Sequence, residues 1–305
     1  MTHRPGDATA LAALVRDARA SARALRFEGA AAWSGAGTPA ARVARDATAV
    51  SLSAMTGVVS YVPNDLTLTV RAGTTLAELD AITAANHQWC PLLPWGNDAG
   101  TIGATFATAT AGPCSATLGR PRDVALGVEF VDGTGTLIRG GGHVVKNVAG
   151  FELTRLIVGS FGSLGAITEV TVRLRARPAA DVTWLVAATG PRAAERLAGI
   201  RRGTVTPFAC ELLTPAAAHT LGVAEQSALV RFGGNAALIA AALSDVSSIG
   251  TVSELDPEVW TRYRAVDPHP RSLAARPLAG SIARRIKERF DPAAIMNRGV
   301  FGECE

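Results

Sequence analysis

Cysteine is scarce, and no two of Cys90, Cys114, Cys210 and Cys304 stand close enough to form a Cys-x-x-Cys pair. A local zinc, iron–sulfur or dithiol motif is thereby excluded, and the four read as free thiols. The five histidines, His3, His87, His143, His219 and His269, show no i, i+2 or i, i+4 pairing, so no metal site is expected. Aromatic residues make up only 5% of the chain, and its arginines are scattered singly among acids despite a net charge of +4. That pattern offers no stacking basic groove for nucleic acid, though a basic surface favours an acidic substrate or protein partner. No apolar run approaches the roughly 18 residues that cross a bilayer, and the opening segment lacks a continuous hydrophobic signal core. A cytoplasmic protein with no membrane span of its own is the expectation. Two phosphate-binding patterns are also missing: G-x-G-x-x-G after a strand, and G-x-x-x-x-G-K-[ST]. A Rossmann-type nicotinamide enzyme and a nucleoside triphosphatase are both disfavoured.

What is present is the mix of a packed globular protein, 48% hydrophobic and 18% charged over 305 residues. Leu11, Leu14, Val15, Ala18, Ala22 and Leu25 recur at helical spacing after the turn residues Pro5 to Asp7, which predicts an amphipathic helix. "GVVSYVP" and "LTLTVRAG" alternate as strands, and "TTLAELDAITAAN" reads as a Thr-capped helix. "VALGVEFVDGTGTLIRGG" predicts a hairpin turning at Asp132-Gly133. A strong β-branched strand then ends at Pro178, taken as a domain boundary. Beyond it, strand, helix, strand, strand and helix patterns predict a small α+β domain, followed by a basic amphipathic helix that stops at Asp291-Pro292. The fold class is α+β, with domains at 1–178 and 179–305.

Three clusters of small residues stand out: "SGAGTP" from 34, "GTIGATFATATAGP" from 100 and "GSFGSLGAITE" from 159. Such a stretch allows either a close helix contact or a ligand held by backbone N–H groups, and glycines with hydroxyl residues suit a pyrophosphate clasped from two sides. Taken singly, the first also reads as an ordinary turn and the second as tight packing.

Their order and context resemble a known family. The run from "TIGATFATATAGP" through "GRPRDVALGVEFVDGTGTLIRGGGHVVKNVAGFELTRLIVGSFGSLGAITEVTVRLRARP" is similar to the FAD-binding PCMH-type domain of the vanillyl-alcohol oxidase superfamily, over about residues 25–178. Within it, "VVKNVAGFELTRLIVGSFGSLGAITEVTVRL" most resembles the FAD-binding (E) subunit of bacterial glycolate oxidase, and "FDPAAIMNRGVF" resembles that group's Asp-Pro…Asn-Pro-Gly ending. The resemblance implies a two-lobed FAD-binding domain followed by a smaller α+β cap. It matches Ser34, Gly35, Ala36, Gly37 and Thr38 to a first pyrophosphate loop. Gly100, Thr101, Ile102, Gly103 and Ala104, with the Ala/Thr run through Thr108, match a second. Gly162, Gly165 and Ile167 fall where the family wraps its backbone around the adenine end, and Lys146 to Phe151 match a segment near the flavin. Three departures stand out: Ala104 where a second glycine is usual, Cys114 where arginine is common after Gly-Pro, and Arg298 in place of the tail's proline. Neither phosphate loop has a histidine or cysteine where some relatives attach flavin, so FAD is expected to bind non-covalently.

The implied activity is oxidation of a small, glycolate-like 2-hydroxy acid. That reaction needs a hydride acceptor, a base for the hydroxyl proton and cations for the carboxylate. Related single-chain dehydrogenases carry a His-x-x-Gly-Asp-Gly-Asn-x-His metal motif that this sequence lacks. Arg264, His269 and Arg271 could supply a carboxylate-binding cation pair, or simply form a solvated Pro-rich loop. His143 could lie near the flavin or be an exposed hairpin-exit residue. Lys146 could stabilise a reduced anionic flavin or sit on the surface, and it stands off the compositional trend of two lysines against 28 arginines. The expected assembly adds a second flavoprotein subunit and an iron–sulfur subunit to receive the electrons. The alternative is a non-catalytic scaffold or assembly subunit of the same complex.

Overall fold

A computed structural model describes residues 2–31, 43, 46–142, 152–188, 192–203, 205–266 and 280–301. Helix α1 (Ala8–Ala20) starts at Asp7, whose carboxylate accepts the Ala10 amide, and it buries Leu11, Val15 and Ala18. Strands β1 (Leu25–Glu28) and β2 (Thr48–Ser51) then pair in parallel. After β3 (Val58–Val62) and β4 (Thr67–Arg71) comes α2 (Leu76–Ala84), opened by a Thr75–Glu78 capping box. The chain continues through β5 (Gln88–Trp89), α3 (Ile102–Thr108), and the single turns α4 (Ser115–Leu118) and α5 (Pro121–Val124). It then forms β6 (Ala125–Val131), β7 (Leu137–Gly141), α6 (Leu153–Ile157), β8 (Ala166–Arg173) and β9 (Arg175–Ala176).

Five of these strands make an antiparallel sheet in the order β3-β4-β8-β6-β7. Alternation puts Leu68, Val70, Val128, Phe130, Val170 and Val172 on one face, where they bury Ile102, Phe106 and Leu79 of the covering helices. The β6–β7 connection is longer than the tight turn that Asp132-Gly133 predicts. It spans residues 132–136; Asp132 Oδ1 accepts the amides of Thr134 and Thr136 at 2.9 Å each, and Gly135 takes the positive φ of 77°. Gly133 is small for another reason: its amide donates to the Phe290 carbonyl at 2.8 Å, and a Cβ there would lie 2.5 Å from Asp291 Oδ1.

The second sheet begins at β10 (Ala180–Ala187). It continues through α7 (Ala193–Arg201), β11 (Ala209–Leu212), α8 (Pro215–Leu221), β12 (Ser227–Gly234), α9 (Ala236–Ser247), β13 (Val252–Leu255) and α10 (Val259–Val266). Its antiparallel order is β11-β12-β10-β13. The sequence reading lacks α8, β13 and α10, although α8 carries plain end signals: Thr214 as cap, Pro215 at its first position and Gly222 at φ 72° beyond its end. One sheet face packs on α7 and α9 through Trp184, Val230, Phe232 and Val246. Against the other lie Trp260 and Tyr263 of α10, in one cluster with Trp89, Cys114 and Leu118 of the first unit. The two units therefore share a core.

The last helix, α11 (Ser281–Phe290), leads into a tail that returns to the first unit. Ile286 and Phe290 pack on the first sheet's core, and Ile295 and Met296 join Leu11, Val15 and Leu25. The tail lies beside β1 like an added strand: the Leu25 amide donates to Ile295 O at 2.8 Å and the Asn297 amide to Leu25 O at 3.0 Å. The sequence groups residues 281–301 with the cap, because an amphipathic stripe does not reveal which core it will meet. Among the described residues, no helix is long and apolar enough to cross a membrane.

Candidate functional site

A cavity of about 370 Å³ opens where three distant segments meet: the end of β1 through Ala31, the first turns of α3, and the turn from Phe161 to Ile167. Asn297 and Val300 of the tail close it. The size falls within the range typical of small-molecule sites. Its walls are mostly small residues, with hydroxyls at Thr101 and Thr108, and its described charged residues are Arg26 and Glu28. Their side chains make a loose pair, Nη2 to Oε2 3.8 Å, at 40% and 23% exposure.

The chain order explains the first wall. Gly29 directly follows β1, and a Cβ there would overlap Thr101 Oγ1 and come within 3.3 Å of the Ala104 Cβ. The run Gly29-Ala30-Ala31 thus faces the start of α3 at close range. This run was missed in the sequence, although three small residues directly after a strand are a visible signal.

The second wall is α3, and here the structure corrects the physical reason for its small residues. The Ile102 and Gly103 amides donate to Thr74 O and Ala72 O at 2.9 and 2.8 Å, the Gly100 amide to Asn97 O at 3.1 Å, and the Ala104 amide to the Thr101 hydroxyl at 3.3 Å. These four N–H groups are engaged within the protein rather than converging on an open anion site. A Cβ at Gly103 would sit 2.6 Å from the Ala72 Cβ and 2.8 Å from Ala72 O, so the close neighbour here is backbone. Gly103→Val is therefore expected to destabilise the protein by about 1–3 kcal/mol by pushing α3 off the β4 end. Urea unfolding checks this, and unchanged stability would contradict the Ala72 contact.

The third wall needs left-handed backbone at Phe161 and Gly162, with φ of 53° and 71°. Gly165 lies so close to the Phe130 ring, 2.5 Å for an added Cβ, that no side chain fits.

Of the residues singled out from the sequence, Gly100, Thr101, Gly103, Ala104, Thr108, Gly162, Gly165 and Ile167 line this one cavity. Ile102 is fully buried and packs in the sheet core instead, as helical geometry turns it away from its neighbours. Ser34, Gly35, Ala36, Gly37, Thr38, His143, Lys146, His269 and Arg271 lie outside the described residues. Asn297 was quoted in the sequence only as part of an ending, with no role; its part in the wall depends on a contact across 270 residues.

Arg264 is not a free carboxylate ligand. Only 1% exposed on α10, it donates to Asp98 Oδ1 at 2.5 Å and Pro94 O at 3.1 Å, tying the second unit to the loop before α3. Cys114 occupies a similar junction. Arg231 of β12 grips Asp181 through two bonds of 2.8 and 2.7 Å, lies 5.4 Å from the Trp89 ring centroid and acts electrostatically on the Cys114 thiol. A guanidinium thus reaches the position after Gly-Pro from another strand. Burial pushes the Cys114 thiol up to about 11, against the lowering effect of Arg231, and the Cys90 thiol up to about 12. Both stay protonated. Among the described residues no cluster of His, Cys, Asp or Glu could hold a metal.

Residues 1–141 match the family model described as an FAD binding domain. The match covers just under half of the chain and supports FAD as its cofactor. Over 129 residues it is 40% identical to glycolate oxidase subunit GlcE of Escherichia coli (strain K12), covering 42% of this chain and 37% of that protein. Over 160 residues it is 31% identical to glycolate oxidase subunit GlcD of Bacillus subtilis (strain 168), covering 52% and 34%. Mitochondrial D-lactate dehydrogenase [cytochrome] of Arabidopsis thaliana is 32% identical over 129 residues, covering 42% and 22%. The matched segments span about a third or less of these relatives. A solved structure of alkyldihydroxyacetonephosphate synthase superposes with a TM-score of 0.67 at 18% identity, over 88% of this chain and 54% of that one, a likeness of fold.

Proposed function

We propose that the chain is the FAD-binding subunit of an oxidoreductase acting on a small 2-hydroxy acid of the glycolate class, with the cavity as its FAD site. One observation carries the reading: three segments separated by some 50 residues or more, each rich in small residues, line a single cavity closed by the C-terminal tail. Bound FAD supplies the two-electron acceptor for the hydride leaving the substrate's C2. The chain's own contribution is to bind and orient. Ala104 and Ala107 present a smooth apolar surface to a planar or extended ligand, and the Thr101 and Thr108 hydroxyls supply polar atoms. Arg26, only loosely paired with Glu28, provides the described cation for an anionic diphosphate.

Onward electron transfer is assigned to partner subunits, a second flavoprotein and an iron–sulfur protein, through which the complex meets the membrane. Cys90, Cys114 and Cys210 are buried free thiols, and their raised pKa values disfavour them as cluster ligands.

The purified chain should show visible flavin absorbance, release all its flavin to the supernatant on acid precipitation, and bleach anaerobically with glycolate or lactate when its partners are present. Flavin kept in the pellet would refute non-covalent attachment. Flavin that never bleaches in the assembled complex would instead favour the scaffold role.

A further inference from the structure

We propose that the C-terminal segment from Lys287 to Asn297 is a clamp that sets cofactor affinity by holding the turn at 161–167 from behind. The proposal rests on the reading that the cavity holds FAD. Residues 161–165 of that turn belong to no helix or strand, so contacts from outside must fix their position. Lys287 does so directly: its Nζ donates to Ser163 O at 2.8 Å, to Asp291 Oδ2 at 2.6 Å and to Met296 O at 3.2 Å. Three acceptors surround an ammonium that has three donors. A guanidinium, whose donors spread in one plane, cannot serve such a convergent set, and this explains a lysine here in a chain with 28 arginines and two lysines. Asp291, fully buried, also accepts the Ile295 and Met296 amides at 3.0 and 2.9 Å, so the same ion pair shapes the tail.

Asn297 completes the clamp from inside the cavity wall. Its Oδ1 accepts the Phe27 amide at 2.8 Å and its Nδ2 donates to Phe161 O at 2.6 Å, joining the first wall to the third. Its φ of 43° is left-handed, a conformation asparagine tolerates. Gly162 is small because of it: an added Cβ would lie 2.6 Å from Asn297 Nδ2. The Phe301 ring then meets Phe161 edge-on at 6.0 Å. Lys287 and Asn297 are thus positioning residues that pull on two consecutive parts of one cofactor-facing turn.

The test titrates FAD, by flavin fluorescence, and ADP, by calorimetry, into the full-length apoprotein and into Asn297→Gly, Lys287→Met and Lys287→Arg, with apoprotein thermal midpoints measured alongside. Glycine accepts the left-handed φ without strain, so Asn297→Gly removes the side-chain bonds alone. The expected result is about a ten-fold or greater loss of FAD affinity in all three variants, matched by a similar loss for ADP, which carries only the adenine and diphosphate. Lys287→Arg should not restore binding although it restores the charge. Parental affinity in the folded variants, a loss for FAD without one for ADP, or rescue by arginine would overturn the clamp while leaving the cofactor site standing. A parent chain that binds neither ligand would overturn both. Failure of all three variants to fold would make the segment a general folding element and refute its role as a cofactor clamp.

Discussion

Loaded with FAD but without partner subunits, the chain is expected to oxidise glycolate or lactate about 10²- to 10⁴-fold more slowly than the assembled complex, the range associated with loss of a general base. The sequence lacks the histidine metal motif of single-chain dehydrogenases. The one cation candidate that falls among the described residues, Arg264, is already committed to Asp98 and Pro94. Freeing it for a substrate carboxylate would break contacts that join the two units. Under the proposed function, base and carboxylate grip come from a partner. Steady-state assays with a dye acceptor, on the chain alone and with partners added, provide the measurement. Rapid turnover by the single chain would remove the need for partners and turn attention to His143, Lys146 and His269.

The second large effect concerns the same arginine and is an effect on stability. Asp98→Ala should lower it by about 3–5 kcal/mol, since it strands a buried guanidinium whose Nε already has no partner. For a chain of this size that corresponds to a thermal midpoint roughly 6–20 °C lower. Arg264→Met should cost less. It removes the charge from the buried site and fills much of the volume, while Asp98, in a side chain 40% exposed, can turn to water. The order of the two midpoints is the sensitive quantity. An Arg264→Met midpoint at or below that of Asp98→Ala would show that packing around Trp95 and Tyr263, rather than the buried charge, holds the junction.

Much of the local structure is legible in the sequence because its signals are short-range. Asp7 and Thr75 cap α1 and α2, and alternation marks β4, β6 and β8. The overlooked helix α8 was equally readable from Thr214, Pro215 and Gly222; an alanine-rich segment with little amphipathic contrast hid it. Asp132-Gly133 shows the limit of such signals. Asp132 does organise a turn, but Gly133 answers to Phe290 and Asp291, some 157 residues away.

The candidate site divides along the same line. Residue type and order by themselves determined an α+β chain with small-residue stretches at 100–104 and 162–167, and the family resemblance of those stretches implied FAD. Glycine and alanine can be required only where something comes close, and such runs can be recognised without knowing what that something is. Only the tertiary structure decided what it is at each position. Gly103 meets Ala72 and Gly162 meets Asn297, while Gly29 faces Thr101 across two segments that no local pattern connects. It alone also decided that the tail belongs to the cavity wall and that Arg264 is an inter-unit tie. Those assignments depend on packing between residues 100 to 270 positions apart, which burial and hydrogen-bond satisfaction choose once the chain is compact, and which sequence periodicity does not encode.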